Sequence, residues 1–281
     1  MLPGVGRIPP SLQAGQIRGM TTLITGATGK TGQRVARRLQ TLDHDVRAVT
    51  RHSAPRFDWH DRTTWSEALD GCESAYLTFQ PDLGLPGADE IIGAFAAQAV
   101  AAGCSRLVLL SGRGEEGAQR AEQAMMASGA EWTILRSAFF MQNFTEGAFA
   151  DELAAGSLTM VEHTVAEPFV DADDIAAVAV AALLDKGYVG RVLELTGPQL
   201  LTFEKAAQAI GGPTVTYRSM PTEDYIAVLT AAGLPTADAA GLAYLFEEVL
   251  DGRNAYVTSD VESVLGRAAR SIVDLDRGVQ S

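Results

Sequence analysis

Three glycines recur at every third position in Gly26-Ala27-Thr28-Gly29-Lys30-Thr31-Gly32. They follow the apolar, β-branched run Thr21 to Thr25 and precede a helical pattern from Lys30 to Leu42. A strand that turns into a helix through glycines brings its backbone against whatever it holds. Gly26 permits the tight turn, and Gly29 lets main-chain N–H groups approach a pyrophosphate. Gly32 lets the helix pack closely on the strand, and the helix N-terminus adds partial positive charge. We therefore assign Gly26, Thr28, Gly29, Lys30, Thr31 and Gly32 to the phosphates of a dinucleotide. A glycine-rich turn without a ligand is the alternative, and the strand before it and helix after it weigh against that reading. The phosphate loop of NTPases ends in a similar Gly-Lys-Thr, but it needs a further glycine where this chain has Ile24.

From Thr21 onward, short apolar runs alternate with helical stretches, the pattern of a parallel sheet covered by helices on both faces. Strands are predicted at Thr21 to Thr25, Val46 to Thr50, Arg56 to Asp58, Ser74 to Phe79, Arg106 to Leu110 and Trp132 to Arg136. Helices are predicted at Lys30 to Leu42, Thr64 to Leu69, Ala88 to Ala102 and Ala118 to Ser128. The rhythm then breaks at an aromatic cluster, Phe139-Phe140-Met141-Gln142-Asn143-Phe144, and a helix is predicted from Gln142 to Ala154. A strong helix, Asp171 to Leu184, leads to a strand at Arg191 to Thr196. The remainder reads as helical at Phe203 to Ile210, Thr222 to Ala232, Leu242 to Leu250 and Val261 to Leu265, with one strand at Thr214 to Tyr217. The expected fold is α/β, a doubly wound parallel sheet of the Rossmann type with a smaller, mostly helical C-terminal lobe. Residues 1–19 are expected to be a flexible tail and 20–140 the nucleotide-binding core. Residues 141–281 are expected to form mainly a substrate lobe, with 169–197 returning to the core.

The end of the second strand distinguishes the two common dinucleotides, because an acid there holds the ribose 2′-hydroxyl of NAD. Thr50-Arg51-His52-Ser53 contains no acid. Arg51 offers forked donors to the 2′-phosphate of NADP instead, so NADP(H) is the expected cofactor; an ordinary surface arginine is the alternative. Asp58 is placed to reach the adenine amino group or to cap the turn into Trp59, and both residues join the cofactor-binding set. The nicotinamide is expected across the carboxyl ends of the strands, beside Thr78, Phe79, Gln80, Ser111, Gly112, Ser137 and Phe139.

Composition narrows the function classes. Asp and Glu outnumber Lys and Arg 35 to 22, a formal net charge of −13, and no basic block is present to neutralise a row of phosphates, so no nucleic-acid partner is expected. The two cysteines and four histidines show neither a disulfide framework nor metal-ligand spacing, and no metal is expected. Without an apolar run long enough to span a bilayer, a soluble cytoplasmic protein with a small-molecule partner and no membrane partner is expected; the sequence does not fix the oligomeric state.

Gly26 to Gly32, the Arg51 position, Ser111-Gly112, Trp132-Thr133-Ile134-Leu135-Arg136 with Phe140 and Asn143, and Phe169-Val170-Asp171-Ala172-Asp173-Asp174-Ile175-Ala176 together resemble the NmrA-like branch of atypical short-chain dehydrogenases. The resemblance spans roughly Thr21 to Leu265. Lys30-Thr31-Gly32, Phe57-Asp58-Trp59-His60-Asp61 with Thr64-Trp65, and Thr196-Gly197-Pro198-Gln199-Leu200-Leu201-Thr202 are most similar to the ergot-alkaloid reductase group, the agroclavine dehydrogenase and festuclavine synthase type. Ordinary short-chain dehydrogenases pair a Tyr with a Lys four residues later, the Tyr giving a proton to the nascent alkoxide. None of the six tyrosines here has Lys at that offset, and the corresponding segment carries Glu122. No catalytic side chain is assigned. Two readings follow: an NADPH-dependent reductase of an activated electrophile such as an iminium, an enone or a quinone-like ring, or a dinucleotide sensor without catalysis. For the reductase, Phe79, Phe140, Phe144 and Phe169 are candidate aromatic walls and Arg113 and Asn143 candidate polar contacts. Plain core packing is the alternative for the aromatic residues.

Overall fold

A computed structural model describes residues 20–277; the expected tail, 1–19, lies outside the described residues. Among the described residues, six parallel strands form the central sheet: β1 (Thr21–Ile24), β2 (Asp45–Ala48), β3 (Cys72–Leu77), β4 (Arg106–Gly112), β5 (Glu131–Ser137) and β8 (Arg191–Leu195), in the order β2-β1-β3-β4-β5-β8. The chain thus winds outward from β1 first to one side and then to the other, the doubly wound arrangement. Adjacent residues of each central strand enter opposite layers, so both must be apolar. Leu23, Leu107, Leu109 and Ile134 face α2 (Trp65–Leu69), α3 (Ala88–Ala101) and α4 (Glu116–Met126). Ile24, Val108, Leu135 and Leu193 face α1 (Gly32–Thr41), α6 (Ala172–Leu184) and α10 (Asp260–Leu265).

A third core sits beneath the C-terminal elements. It joins α5 (Ala148–Ala154), α7 (Phe203–Gly211), α8 (Thr222–Ala231) and α9 (Thr236–Val249) to β6 (Ser157–Val161), and Leu158, Met160, Phe203, Tyr225 and Phe246 are buried in it. β6 pairs in parallel with β10 (Thr216–Met220), and β7 (Ala166–Glu167) pairs antiparallel with β9 (Leu201–Thr202). None of β6, β7 and β9 is anticipated from the sequence.

Two expected elements are replaced. Arg56 to Asp58 forms no strand: the Asp58 N–H donates to Thr64 Oγ1 at 3.0 Å and Trp65 Nε1 donates to the Asp58 carbonyl at 2.9 Å, so side chains take the place of a ladder. The helix expected from Gln142 to Ala154 is a 3₁₀ turn, Met141–Asn143, followed by α5. Gly147 divides them at φ 110° and ψ −156°, a conformation that only glycine adopts without strain. Among the described residues, no helix is long and apolar enough to cross a membrane.

Candidate functional site

The turn after β1 is built by main-chain geometry. Gly26 has φ +59°, and the Gly29 N–H donates to its carbonyl at 2.9 Å. A Cβ at Gly26 would stand 2.1 Å from Thr78 Oγ1, and one at Gly32 would stand 2.3 Å from the Gly26 carbonyl oxygen. Thr25 and Thr78 lock the ends of β1 and β3 together: the Thr78 N–H donates to Thr25 Oγ1 at 2.9 Å and Thr78 Oγ1 donates to the Thr25 carbonyl at 3.2 Å. The N-cap residue of α1, Thr31, makes no side-chain cap, so the free N–H groups of the first turn remain for an anion. Tight glycines, a pinned strand end and an uncapped ten-residue helix fit the pyrophosphate of a dinucleotide.

These residues open into a cavity of about 620 Å³ at the carboxyl ends of β1, β3, β4 and β5. Gly26, Thr28, Gly29, Lys30, Thr31, Thr78, Phe79, Gln80, Ser111, Gly112, Ser137 and Phe139 of the cofactor set all line it, as do Arg113, Phe140 and Asn143 of the substrate set. The structure does not place the other members in its wall. Gly32 supports the loop from the start of α1. Arg51 is exposed in the segment after β2. Asp58 accepts from the His60 N–H at 3.0 Å and pairs with Arg56 at 3.2 Å, which matches the turn-capping alternative. Trp59 donates through Nε1 to the Thr78 carbonyl at 2.9 Å and packs among Phe57, Phe79 and Phe95, fastening its loop to the end of β3. Phe144 and Phe169 are buried edge-to-face in the C-terminal core, their rings 5.2 Å apart; core packing, the alternative reading, describes both. Among the described residues, no tyrosine lines the cavity.

A buried carboxylate organises the floor. Glu122, on α4, is 1% exposed; it accepts from Arg136 Nη2 at 2.6 Å, from Arg136 Nε at 3.0 and 3.1 Å, and from Ser111 Oγ at 2.6 Å. The Ser111 proton is therefore committed to Glu122. Arg113 is held from the far end of the chain: Nη1 donates to the Asn254 carbonyl at 3.2 Å, Nη2 donates to Glu194 at 3.3 Å, and the guanidinium lies 4.4 Å from the Tyr256 ring centre.

The cavity also gathers acids and C-terminal residues that sequence reasoning missed: Asp82, Glu115, Glu146, Glu167, Val249 and Asn254. Burial, with the Asp82 and Glu248 carboxylates alongside, pushes Glu115 up to about 8. Burial also pushes Glu167 up to about 7, against the pull of Arg113. Glu115 follows directly on the end of β4 and its turn, where functional residues of such sheets gather, so its position carried a signal. Asn254 gave none, since its contact with Arg113 joins residues far apart in sequence.

The sequence profile of the NAD(P)H-binding family matches residues 26–186, more than half of the chain. An uncharacterised oxidoreductase of Bacillus subtilis, YesF, is 31% identical over 264 residues, covering 89% of this chain and 92% of that protein. Agroclavine dehydrogenase of Claviceps fusiformis is 29% identical over 281 residues, covering 91% and 96%. Among solved structures, the NADPH-dependent quinone oxidoreductase of Escherichia coli in complex with NADPH superposes with a TM-score of 0.77 at 21% identity, over 92% of this chain and 100% of that one. With its glycine turn, switch-point cavity and end-to-end kinship, the chain belongs to the NAD(P)H-binding family, as an NmrA-like oxidoreductase of the atypical short-chain dehydrogenase type.

Proposed function

We propose that the protein is an NADPH-dependent reductase of a small, cyclic or aromatic electrophile (an iminium, an enone or a quinone-like ring), and that it works without a Tyr/Lys pair. The observation that carries this reading is one continuous cavity of about 620 Å³ that joins the glycine turn to Phe79, Phe139, Phe140 and Arg113, with no tyrosine among the described residues of its wall. Residues 20–140 provide most of the dinucleotide site, and elements from 141–281 close the cavity over the substrate. When bound, the reduced nicotinamide supplies hydride. The chain's own contribution is position: the Thr25–Thr78 lock fixes the turn, and Phe79, Phe139 and Phe140 offer flat apolar faces that exclude water and hold a planar ring. The quinone oxidoreductase, whose name places it on a quinone, supports the substrate class.

The cofactor preference is tested at Arg51. Its exposed side chain is proposed to pair with the 2′-phosphate, so Arg51→Asp exchanges a charge-assisted pair for repulsion. The expected result in titration calorimetry is tighter binding of NADPH than NADH by the wild type, and a loss of about tenfold or more for NADPH alone in the variant, ~1.4 kcal/mol. Equal wild-type affinity for the two cofactors contradicts the assignment.

A further inference from the structure

Glu167, on β7, and Arg113, just after β4, both line the cavity, and each carries a buried polar atom with no partner among the described residues. Glu167 is 1% exposed, and its Oε1 is buried without a hydrogen-bond partner among the described residues. Arg113 is also buried, its two Nη atoms are taken by the Asn254 carbonyl and Glu194, and its Nε is buried without a partner among the described residues. An unsatisfied buried polar atom is costly, so such a group in a native fold calls for a ligand or a function. Here one donor and one carboxyl oxygen are without partners among the described residues, on two residues of one cavity wall: Arg113 at the end of a main-sheet strand, and Glu167 on the strand that pairs with β9.

We propose that Glu167 is the proton donor of this reductase, and that with Arg113 it favours electrophiles whose reduction places negative charge on oxygen, enones and quinones, over iminium ions. The proposal rests on the reductase reading above. Hydride from the reduced nicotinamide forms a C–H bond at the electrophilic carbon of an enone, and the displaced π pair moves onto the carbonyl oxygen. That oxygen takes the Glu167 proton: an O–H bond forms on the substrate and the carboxyl O–H bond breaks. The substrate gains two electrons and the nicotinamide loses two; the enol relaxes to the ketone in water, and solvent returns a proton to the Glu167 carboxylate. A quinone takes up one hydride and one proton by the same count. An iminium needs hydride alone.

The surroundings favour the neutral carboxyl. Burial is the largest influence on Glu167 and Asp251 adds repulsion, while Arg113 opposes both. Arg113 is itself answered by Glu194, which accepts from Tyr256 Oη at 2.7 Å, so the cation facing Glu167 is partly neutralised. Asp82 and Glu115 add acidic groups to the same cavity, and Lys30 lies in its wall beside the glycine turn. The acid is therefore loaded below a pH of about 7 and unloaded above it, so proton-dependent turnover falls as pH rises through that value.

The test uses the full chain with NADP⁺ bound, wild type against Glu167→Gln and Glu167→Asp. Infrared difference spectra across pH, taken as wild type minus Glu167→Gln so that the Glu115 carboxyl cancels, are expected to show a protonated carboxyl band that disappears through neutral pH, and the same band is expected with Glu167→Asp in place of the wild type. Steady-state rates are measured with menadione, cyclohexenone and a preformed cyclic N-methyl iminium. In Glu167→Gln, turnover of the first two is expected to fall by about 10²-fold and to lose its alkaline decline, while the iminium is spared. A difference band that does not titrate, the absence of any difference band, or an equal loss on all three substrates overturns the proposal. Calorimetry with NADPH separates this outcome from failure of the underlying reading, because a wild type that binds no NADPH refutes the reductase itself.

Discussion

Gly32→Ala is expected to weaken NADPH binding by about tenfold to a hundredfold, ~1–3 kcal/mol, because the added methyl has nowhere to go. Its Cβ would stand 2.3 Å from the Gly26 oxygen, 2.9 Å from the Gly26 carbonyl carbon and 3.1 Å from the Ala27 Cα. All three are backbone atoms of the turn that receives the pyrophosphate, so no side-chain rotation relieves the clash. The turn must lift off the first turn of α1, and the N–H groups that converge on the anion diverge. Gly241, in α9, is the control: a Cβ there meets nothing within 4 Å, and Gly241→Ala is expected to leave NADPH binding unchanged and to stabilise the helix by up to about 1 kcal/mol. Calorimetry and thermal melting of the two variants check the pair. Equal affinities for Gly32→Ala and wild type would show that the turn does not hold the phosphates.

Glu122→Ala is expected to destabilise the fold by about 3–5 kcal/mol, since it strips the closer partner from a buried ion pair and leaves the Arg136 guanidinium only Glu194, at 3.9 Å. Arg136 is 25% exposed by side chain against 1% for Glu122, so part of that cost is returned by solvent on the arginine side. At this chain length the loss corresponds to a drop of roughly 10 °C in Tm. Glu122→Gln keeps the shape and one acceptor and is expected to fall between the alanine variant and wild type. Melting curves for the three proteins test the order. An alanine variant as stable as wild type would mean that the pair contributes nothing to the fold. The same carboxylate holds Ser111 at the cavity floor, so the destabilised variant should also lose definition where the strand ends meet the ligand.

What the sequence shows and what it hides divide along a physical line. The glycine turn is legible because its constraint is local: Gly26, Gly29 and Gly32 meet one another and the adjoining strand and helix within a few residues. The central strands are legible because burial on both faces makes them continuously apolar, as at Leu107-Val108-Leu109. The same burial rule hides the role of aromatic residues. Phe140, in the cavity wall, and Phe144, in the core, stand on the same short segment, and nothing in their spacing separates them.

Long-range pairing is the other source of error. β7 contains two residues and exists through its antiparallel contact with Leu201 and Thr202, so Glu167 reaches the cavity by an interaction with no local periodicity. Arg113 was visible at a strand end, whereas its fastening by Asn254, Glu194 and Tyr256 was not. The missing third strand has a related cause. Arg56 to Asp58 lies beside polar side chains able to satisfy its backbone, and Thr64 and Trp65 do so where a neighbouring strand was expected.

The central claim, that the cavity reduces small electrophiles with NADPH, is tested most directly by following loss of NADPH absorbance with purified full-length protein against cyclic iminium ions, enones and quinones. The expected result is saturable consumption of NADPH with at least one of these classes, faster than with NADH and diminished when Phe79 or Phe140 is replaced by Ala. Binding of NADPH with no turnover across the whole set would contradict the account and make the protein a dinucleotide sensor.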